Sequence, residues 1–378
     1  MRIALIHYWL VGMRGGERVL EALCRMFPEA DIFTHVCVPS AISATIRAHR
    51  IQETAIGRLP LASRLYQAYL PLMPAALESL NLSGYDLVIS SEAGPAKGVI
   101  APPDAYHLSY IHSPMRFLWD QYHVYRDGAG WAARTMMPVM APALRQWDVT
   151  SAARVDAFLA NSNHVASRVR KYWRRDAEVL HPPVDVARFA PAPISERGDF
   201  YLWAGELAPY KRADIAIEAF RRLGLPLVVI GGPDKTRLRL AANAPENVKF
   251  LGKTDFATLK WHMARCRALI FPGEEDFGLV PVEVMASGRP VIAYGRGGAL
   301  DTVIHGQTGW LFEHQSIDGL VNAVREAEAA GPSAFDPDRI VAHAAQFNEQ
   351  TFRAGILKSL MAGGVSAEDL SCGQLCVT

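Results

Sequence analysis

Apolar and polar positions alternate along this chain in a repeating order. Short apolar runs close at glycine or a polar turn, and helix-length stretches with one apolar stripe follow them. "RIALIHYWL" is such a run, "VGMRGGE" its turn and "RVLEALCRMF" the helix, with Val19, Leu20, Leu23 and Cys24 on its apolar face. "ADIFTHVCV", "YDLVISS", "HLSYIHS" and "VDAFLANS" repeat the strand signal with longer insertions between them. From "YLWAG" onward the alternation is regular. "ADIAIEAFRRL" follows that strand, a polar turn and a helix follow "PLVVIGG", and "FATLKWHMARC" follows "VKFLG". "LVPVEVMASG" then follows "ALIFPG", and "GALDTVIH" follows "PVIAYG". Apolar strands separated by helices of this length require right-handed crossovers and parallel sheets covered on both faces.

The Pro-rich stretch "HPPVDVARFAPAPISERGD" interrupts the alternation and reads as an interdomain linker. The expectation is an α/β protein of two Rossmann-like domains, 1–185 and 186–350, facing each other across a cleft. A helix over 351–366 crosses back to the first domain, and 367–378 form a frayed tail. A ligand of such a fold lies beyond the carboxyl ends of the strands.

Two segments depart from the pattern. "RLPLASRLYQAYLPLMPAALESL" (58–80) is apolar, with Leu61, Leu65 and Tyr69 on one helical face and Leu72 continuing the stripe. Residues 116–147 carry Trp119, Trp131, Trp147 and Met136–Met137. Such stripes read first as core; the alternative is an interfacial contact with a membrane, which Arg, Trp and Leu suit. Arg168, Arg170, Lys171, Arg174 and Arg175 form the densest basic run, expected as a solvated face because a helix spreads them around its circumference.

Composition narrows the class. The 378 residues suit two domains, and half of them are hydrophobic, as in ordinary globular proteins. The net charge is +1, with +3 before residue 186 and −2 after it, so neither half looks like a nucleic-acid binder. Five cysteines without metal-ligand spacing point to a reducing compartment and to no bound zinc. The N-terminal apolar run is short and broken by His7, so it reads as a strand rather than a signal peptide. No window offers the ~18 apolar residues a spanning helix needs.

Candidate chemistry sits at strand-to-helix turns. Gly15 and Gly16 allow close main-chain approach at a helix N-terminus, which favours an anion; the spacing is not that of a nicotinamide site. Lys211 and Arg212 stand just before the helix at the first turn of the second domain, within reach of a phosphate. "GEEDFGLVPVEVMASGRPVIAYGRGGALDTV" places Glu275 in a turn and Glu283 on the following helix. That separation is too great for two carboxylates to share a proton, so each suits a different group of hydroxyls on one long ligand. Glycines around Gly278 and Gly297–Gly298 are expected to leave main-chain N–H groups free for phosphate between those ends.

"EEDFGLVPVE" resembles the E-x7-E motif of retaining glycosyltransferases of the GT-B fold, in the large nucleotide-sugar-dependent family four. "MASGRPVIAYGRGG", "GQTGWLF", the early "GG", "LANS" and "PYKR" fit its other landmarks along nearly the whole chain. "GEEDFG", "YGRGGAL", "PYKR" and "IHSPMRFLWD" look most like bacterial mannosyltransferases of O-antigen and exopolysaccharide synthesis. The resemblance implies a metal-independent transfer of mannose from GDP-mannose, with no cofactor. Its acceptor is a saccharide, free or carried on a polyprenyl diphosphate, and the enzyme is cytoplasmic, at the inner face of the plasma membrane when its acceptor is lipid-linked. It implies that Glu275 binds the hexose and Glu283 the ribose, and that Lys211 with Arg212 neutralises the diphosphate. Gly15 and Gly16 meet that diphosphate from the first domain, Phe277, Gly278 and Leu279 line the donor, and His112 stands on the acceptor side.

One position departs from the family. An arginine commonly follows the glycine of its "GR…K" motif, whereas this chain has Glu206 after Gly205, and Arg212 is expected to cover the missing charge. Three other readings share the fold: a UDP-sugar donor for glucosyl or N-acetylhexosaminyl transfer, a nucleotide-sugar epimerase, and a non-catalytic sugar-nucleotide sensor. The base is expected to be read by a few backbone and side-chain contacts near Gly252–Thr254.

Overall fold

The computed structural model describes residues 1–331 and 334–371. The chain divides into two compact units: Met1–Pro183 with the chain from Phe352 onward, and Val184–Thr351.

Unit 1 is built on strands β1 (Ile3–His7), β2 (Asp31–Thr34), β3 (Ile51–Glu53), β4 (Leu87–Glu92), β5 (Tyr106–Ile111), β6 (Ala157–Ala160) and β7 (Glu178–Val179). They form one sheet in the order β3-β2-β1-β4-β5-β6-β7, with every pair parallel. Successive side chains enter opposite cores. Leu5, Leu87, Ile89, Leu108 and Tyr110 share one core with the helix Gly15–Met26, and Ala4, Ile6 and Val88 lie in the other. Burial on both faces explains why these strands read as continuous apolar runs.

Unit 2 carries β8 (Tyr201–Ala204), β9 (Leu227–Ile230), β10 (Val248–Gly252), β11 (Leu269–Phe271), β12 (Val291–Tyr294) and β13 (Gly309–Phe312), in the parallel order β10-β9-β8-β11-β12-β13. In both sheets the chain starts in the middle, winds to one edge, returns and winds to the other. The order reverses between β1 and β4 in unit 1 and between β8 and β11 in unit 2. Crevices beyond the carboxyl ends of strands at such reversals are where open α/β sheets bind ligands.

Several expectations change. The stretch read as a linker is mostly part of unit 2, because Val184 and Phe189 are buried in its core. The helix Glu349–Ala362 places Phe352, Ile356 and Leu360 in the unit 1 core. Residues 367–371 are helical rather than frayed, with Leu370 buried, while Cys372 and Cys376 lie outside the described residues. No single helix spans 58–80: prolines cut it into the short turns Ala62–Leu65, Tyr66–Leu72 and Met73–Glu78, and Leu61 adopts φ +52°. Leu61, Leu65 and Leu72 are exposed instead of forming a core stripe.

The basic run on the helix Asn163–Trp173 is not uniformly solvated. Arg168 is only 7% exposed and forms an ion pair with Asp120, a counter-charge too distant in sequence to anticipate. The reading of residues 116–147 as core holds for Trp147 and Trp119, which are at least half buried, but not for Trp131 and Met136, at 83% and 56% exposure.

Candidate functional site

In unit 2 the chain leaves β8 through Gly205–Arg212 and enters the helix Ala213–Leu223; it leaves β11 through 272–278 and enters the helix Leu279–Ala286. Because β8 and β11 are paired neighbours at the reversal of strand order, their turns lie side by side. Lys211 Nζ comes within 2.7 Å of Glu275 Oε1, with both side chains largely buried. At that distance the two groups form a close, charge-assisted contact. Burial pulls the Lys211 pKa down, but Glu275, Tyr210 and Glu206 outweigh it and hold the value above the ordinary lysine one. The ammonium is therefore charged at neutral pH.

Glu283 lies in the helix Leu279–Ala286 at 7% exposure. Gly278 precedes this helix at φ +88°, a conformation that a side chain disfavours. The ring of Phe277 packs edge-on against Phe347 in the core, so only its main chain is placed to meet a ligand. Arg212, at φ +51°, forks its guanidinium onto Asp214 at 2.8–3.2 Å and reaches Gln315 at 3.4 Å. To serve a phosphate it must share that charge with Asp214. Gln315 also donates to the carbonyl of Pro272 at 2.9 Å, tying the two turns together; nothing in the sequence singled it out.

The glycines at 297–298 do something other than expected. The Gly298 N–H donates to the Glu275 carbonyl at 2.8 Å and is not free for phosphate. A Cβ at Gly298 would lie 2.3 Å from Phe277 Cα, and one at Gly297 would lie 2.3 Å from the Glu275 carbonyl oxygen. These glycines let two loops touch backbone to backbone, which fixes where Glu275 stands.

In unit 1 the residues of interest also gather at carboxyl ends. His112 follows β5, donates its N–H to the Glu92 carbonyl at 2.7 Å, and has Nε2 2.8 Å from Ser91 Oγ. His7, at the end of β1 and in register with Ser91, is fully buried; burial and then His112 push its pKa well down. Gly15 and Gly16 open the helix Gly15–Met26, and a Cβ on Gly16 would lie 2.4 Å from the Tyr8 hydroxyl. Glu17 occupies that helix end: it is 2% exposed, accepts from the Arg14 N–H at 3.0 Å, and burial raises its pKa.

Beneath His112 lies a wholly buried charge cluster. Lys97 Nζ contacts Asp148 Oδ1 at 2.5 Å and Glu92 Oε1 at 3.1 Å, with all three side chains fully buried. Asp148 Oδ2 accepts from the indoles of Trp119 and Trp173, each at 2.8 Å. Burial, reinforced by Asp148 and opposed by Lys97, pushes the Glu92 pKa up to about 7. The only sequence trace of this cluster is a polar strand end, "SSE", inside an apolar context.

Two family models match the chain in tandem: Glycosyltransferase Family 4 over 13–188 and Glycosyl transferases group 1 over 187–340. A Mycobacterium tuberculosis GDP-mannose-dependent alpha-(1-6)-phosphatidylinositol monomannoside mannosyltransferase is 31% identical over 58% of this chain and 61% of its own length. A Jonesia denitrificans D-inositol 3-phosphate glycosyltransferase is 31% identical over 41% of this chain and 44% of its own. The chain spans about half the length of the curated relatives it matches. Among solved structures, Anabaena HepE in complex with UDP-glucose superposes with a TM-score of 0.69 at 19% identity, covering 96% of this chain and all of that one. Sucrose-phosphate synthase from Thermosynechococcus elongatus gives 0.69 at 18%, covering 97% and 100%. At these identities the structures speak to fold alone. With two Rossmann-like sheets, paired turns at each reversal and both family models met end to end, the chain belongs to the GT-B glycosyltransferases of family four.

Proposed function

We propose that this protein transfers mannose from GDP-mannose to a saccharide acceptor, with retention of anomeric configuration and without a divalent metal. The observation that carries the proposal is the Lys211–Glu275 pair at the unit 2 reversal point, with Glu283 on the helix that follows. A largely buried carboxylate suits a sugar hydroxyl, and a lysine kept charged suits the diphosphate that leaves as the glycosidic bond breaks. Glu275 binds the hexose and Glu283 the ribose. Lys211, with Arg212, stabilises the departing diphosphate, and the main chain at Phe277, Gly278 and Leu279 lines the donor. His112, held by Ser91, positions the acceptor, and Gly15–Gly16 approach the diphosphate. The name of the mycobacterial relative supports GDP-mannose over a UDP-sugar.

The resemblance to O-antigen and exopolysaccharide enzymes supports a role in bacterial surface polysaccharide synthesis, at the cytoplasmic face of the membrane on a polyprenyl-diphosphate-linked acceptor. Among the described residues no helix is long and apolar enough to cross a membrane. The test is a thermal-shift and calorimetry panel of GDP-, UDP-, ADP- and dTDP-sugars. Stabilisation by GDP-mannose above the others is expected; a response to UDP-sugars alone ends the mannose assignment, and epimerised donor formed without acceptor favours the epimerase reading.

A further inference from the structure

Unit 2 holds a cavity at the opposite end of its sheet from Lys211 and Glu275. Tyr201 opens β8, Arg267 stands two residues before β11 and Arg289 two before β12. All three therefore lie at the amino ends of neighbouring strands. With Arg197 they line a space of about 320 Å³, within the range of small-molecule sites. The four residues of β8 separate it from the turn that bears Lys211, roughly 13 Å at ~3.3 Å per residue.

Three guanidiniums meet in this cavity, and their counter-charges do not balance. Arg267 donates to Asp199 and to Glu328, each at 2.7 Å, and the Tyr201 hydroxyl donates to the other Glu328 oxygen. Both acids of the cavity are thus spent on one arginine. Arg289 donates to two main-chain carbonyls, that of Cys266 and, at 2.9 Å, that of Arg267, and forms no ion pair among the described residues. Those bonds hold Arg289 in place without neutralising it. Arg197 is half-buried and has no acid partner among the described residues either, and its Nε is buried without a hydrogen-bond partner. Burial pulls the Arg289 pKa down, and Arg197 and Arg267 add to this against Cys266, so the cluster repels itself. Polar groups out of water are ordinarily matched. Opposite the arginines the wall is apolar: Ile292, Ala327 and Phe335, whose ring meets Trp310 edge-on at 4.6 Å.

We propose that this cavity binds the phosphate group of a small soluble phosphomonoester between Arg197 and Arg289, at a site separate from that of the nucleotide-sugar. Two unmatched guanidiniums call for two negative charges, and a phosphomonoester carries about −1.5 to −2 at pH 7. Guanidinium forks match its oxygens in pairs, and the apolar wall takes the carbon skeleton. The test is calorimetric titration of the full chain at low salt with inorganic phosphate, glucose 6-phosphate and acetate. Glucose 6-phosphate should bind one site with a Kd of about 1 mM or tighter, and more tightly than phosphate alone. Acetate, with a single charge, should bind at least about 10-fold more weakly than either. Arg197→Gln should weaken both phosphates at least about 10-fold, since a hydrogen bond to a charged group is lost. Arg197 holds no partner in the fold, so this variant should keep the wild-type circular dichroism spectrum; Arg289→Gln, which removes the facing guanidinium, gives the same reading independently. Lys211→Met should bind both phosphates like wild type. Absence of phosphate binding, acetate binding as tight as phosphate, or wild-type affinity in both arginine variants overturns the proposal. So does binding that Lys211→Met loses and Arg197→Gln keeps, since the anion then sits at the donor turns. Tighter binding of soluble dihexanoyl phosphatidic acid than of glucose 6-phosphate overturns the assignment to a soluble ligand. Failure of every nucleotide-sugar to bind would strike the glycosyl-transfer reading and leave this site standing.

Discussion

Replacing Lys97 with methionine tests the buried cluster that underlies the His112 strand end. The ammonium is fully buried, is shared by two fully buried carboxylates, and sits 4.1 Å from the ring centre of Trp173. Removing one partner of a buried ion pair costs about 3–5 kcal/mol, because the charge left behind is neither solvated nor matched. Unit 1 falls in a size range where 1 kcal/mol shifts Tm by about 2–4 °C, so a drop of roughly 6–20 °C is expected. The sign with pH follows from Glu92, whose pKa burial raises to about 7. Below that value Glu92 is protonated and leaves Asp148 alone unmatched, so the loss should be smaller at pH 6 than at pH 8. Adding Glu92→Gln and Asp148→Asn removes both stranded charges at nearly constant shape and should restore more than half the loss. Urea melts followed by tryptophan fluorescence measure each step. A loss below about 1 kcal/mol at pH 8, or no recovery in the triple variant, would refute the reasoning.

Further outcomes follow from the same geometry. Lys211→Met should lower kcat/KM for transfer by about 10²–10³-fold with the circular dichroism spectrum unchanged, since it removes the charge proposed to stabilise the leaving diphosphate. Gly298→Ala should destabilise unit 2 by roughly 1–3 kcal/mol in urea melts and weaken donor binding with it, because its methyl would meet Phe277 main-chain atoms at 2.3 and 2.4 Å. Burial lowers the pKa of His35 to about 4 and of His107 to about 3. The unfolded chain therefore takes up protons first, and their contribution to stability falls as pH drops below about 6.5, by about 1.4 kcal/mol per pH unit for each. Glu92 works in the opposite direction between its unfolded value and about 7, so the test is a difference: His107→Gln should flatten the urea-midpoint slope between pH 6 and 4.5 relative to wild type.

What the sequence disclosed was whatever has local periodicity. β1 and the helix Gly15–Met26 could be read off because apolar residues recur at strand and then helix spacing, and Val19, Leu20, Leu23 and Cys24 are indeed its buried face. The turns bearing Lys211 and Glu275 were visible as turns, but their 2.7 Å approach depends on β8 and β11 being neighbours, which spacing cannot reveal. The glycines at 297–298 pointed to close approach without saying of what; the answer was another loop rather than a ligand. Partners far apart in the chain stayed hidden: Lys97 with Asp148, Arg168 with Asp120, Ser91 with His112. Trp131 misled because an isolated aromatic carries no sign of which way its helix faces.

The central claim assigns Glu275 to the sugar and Glu283 to the ribose of a GDP-mannose held in unit 2. Calorimetric titration of GDP and of GDP-mannose into wild type, Glu275→Gln and Glu283→Gln reads it directly. The account predicts that Glu275→Gln abolishes the extra affinity of GDP-mannose over GDP, and that Glu283→Gln weakens both ligands alike. Unchanged affinities in both variants, or a loss confined to the wrong ligand in each, would contradict it.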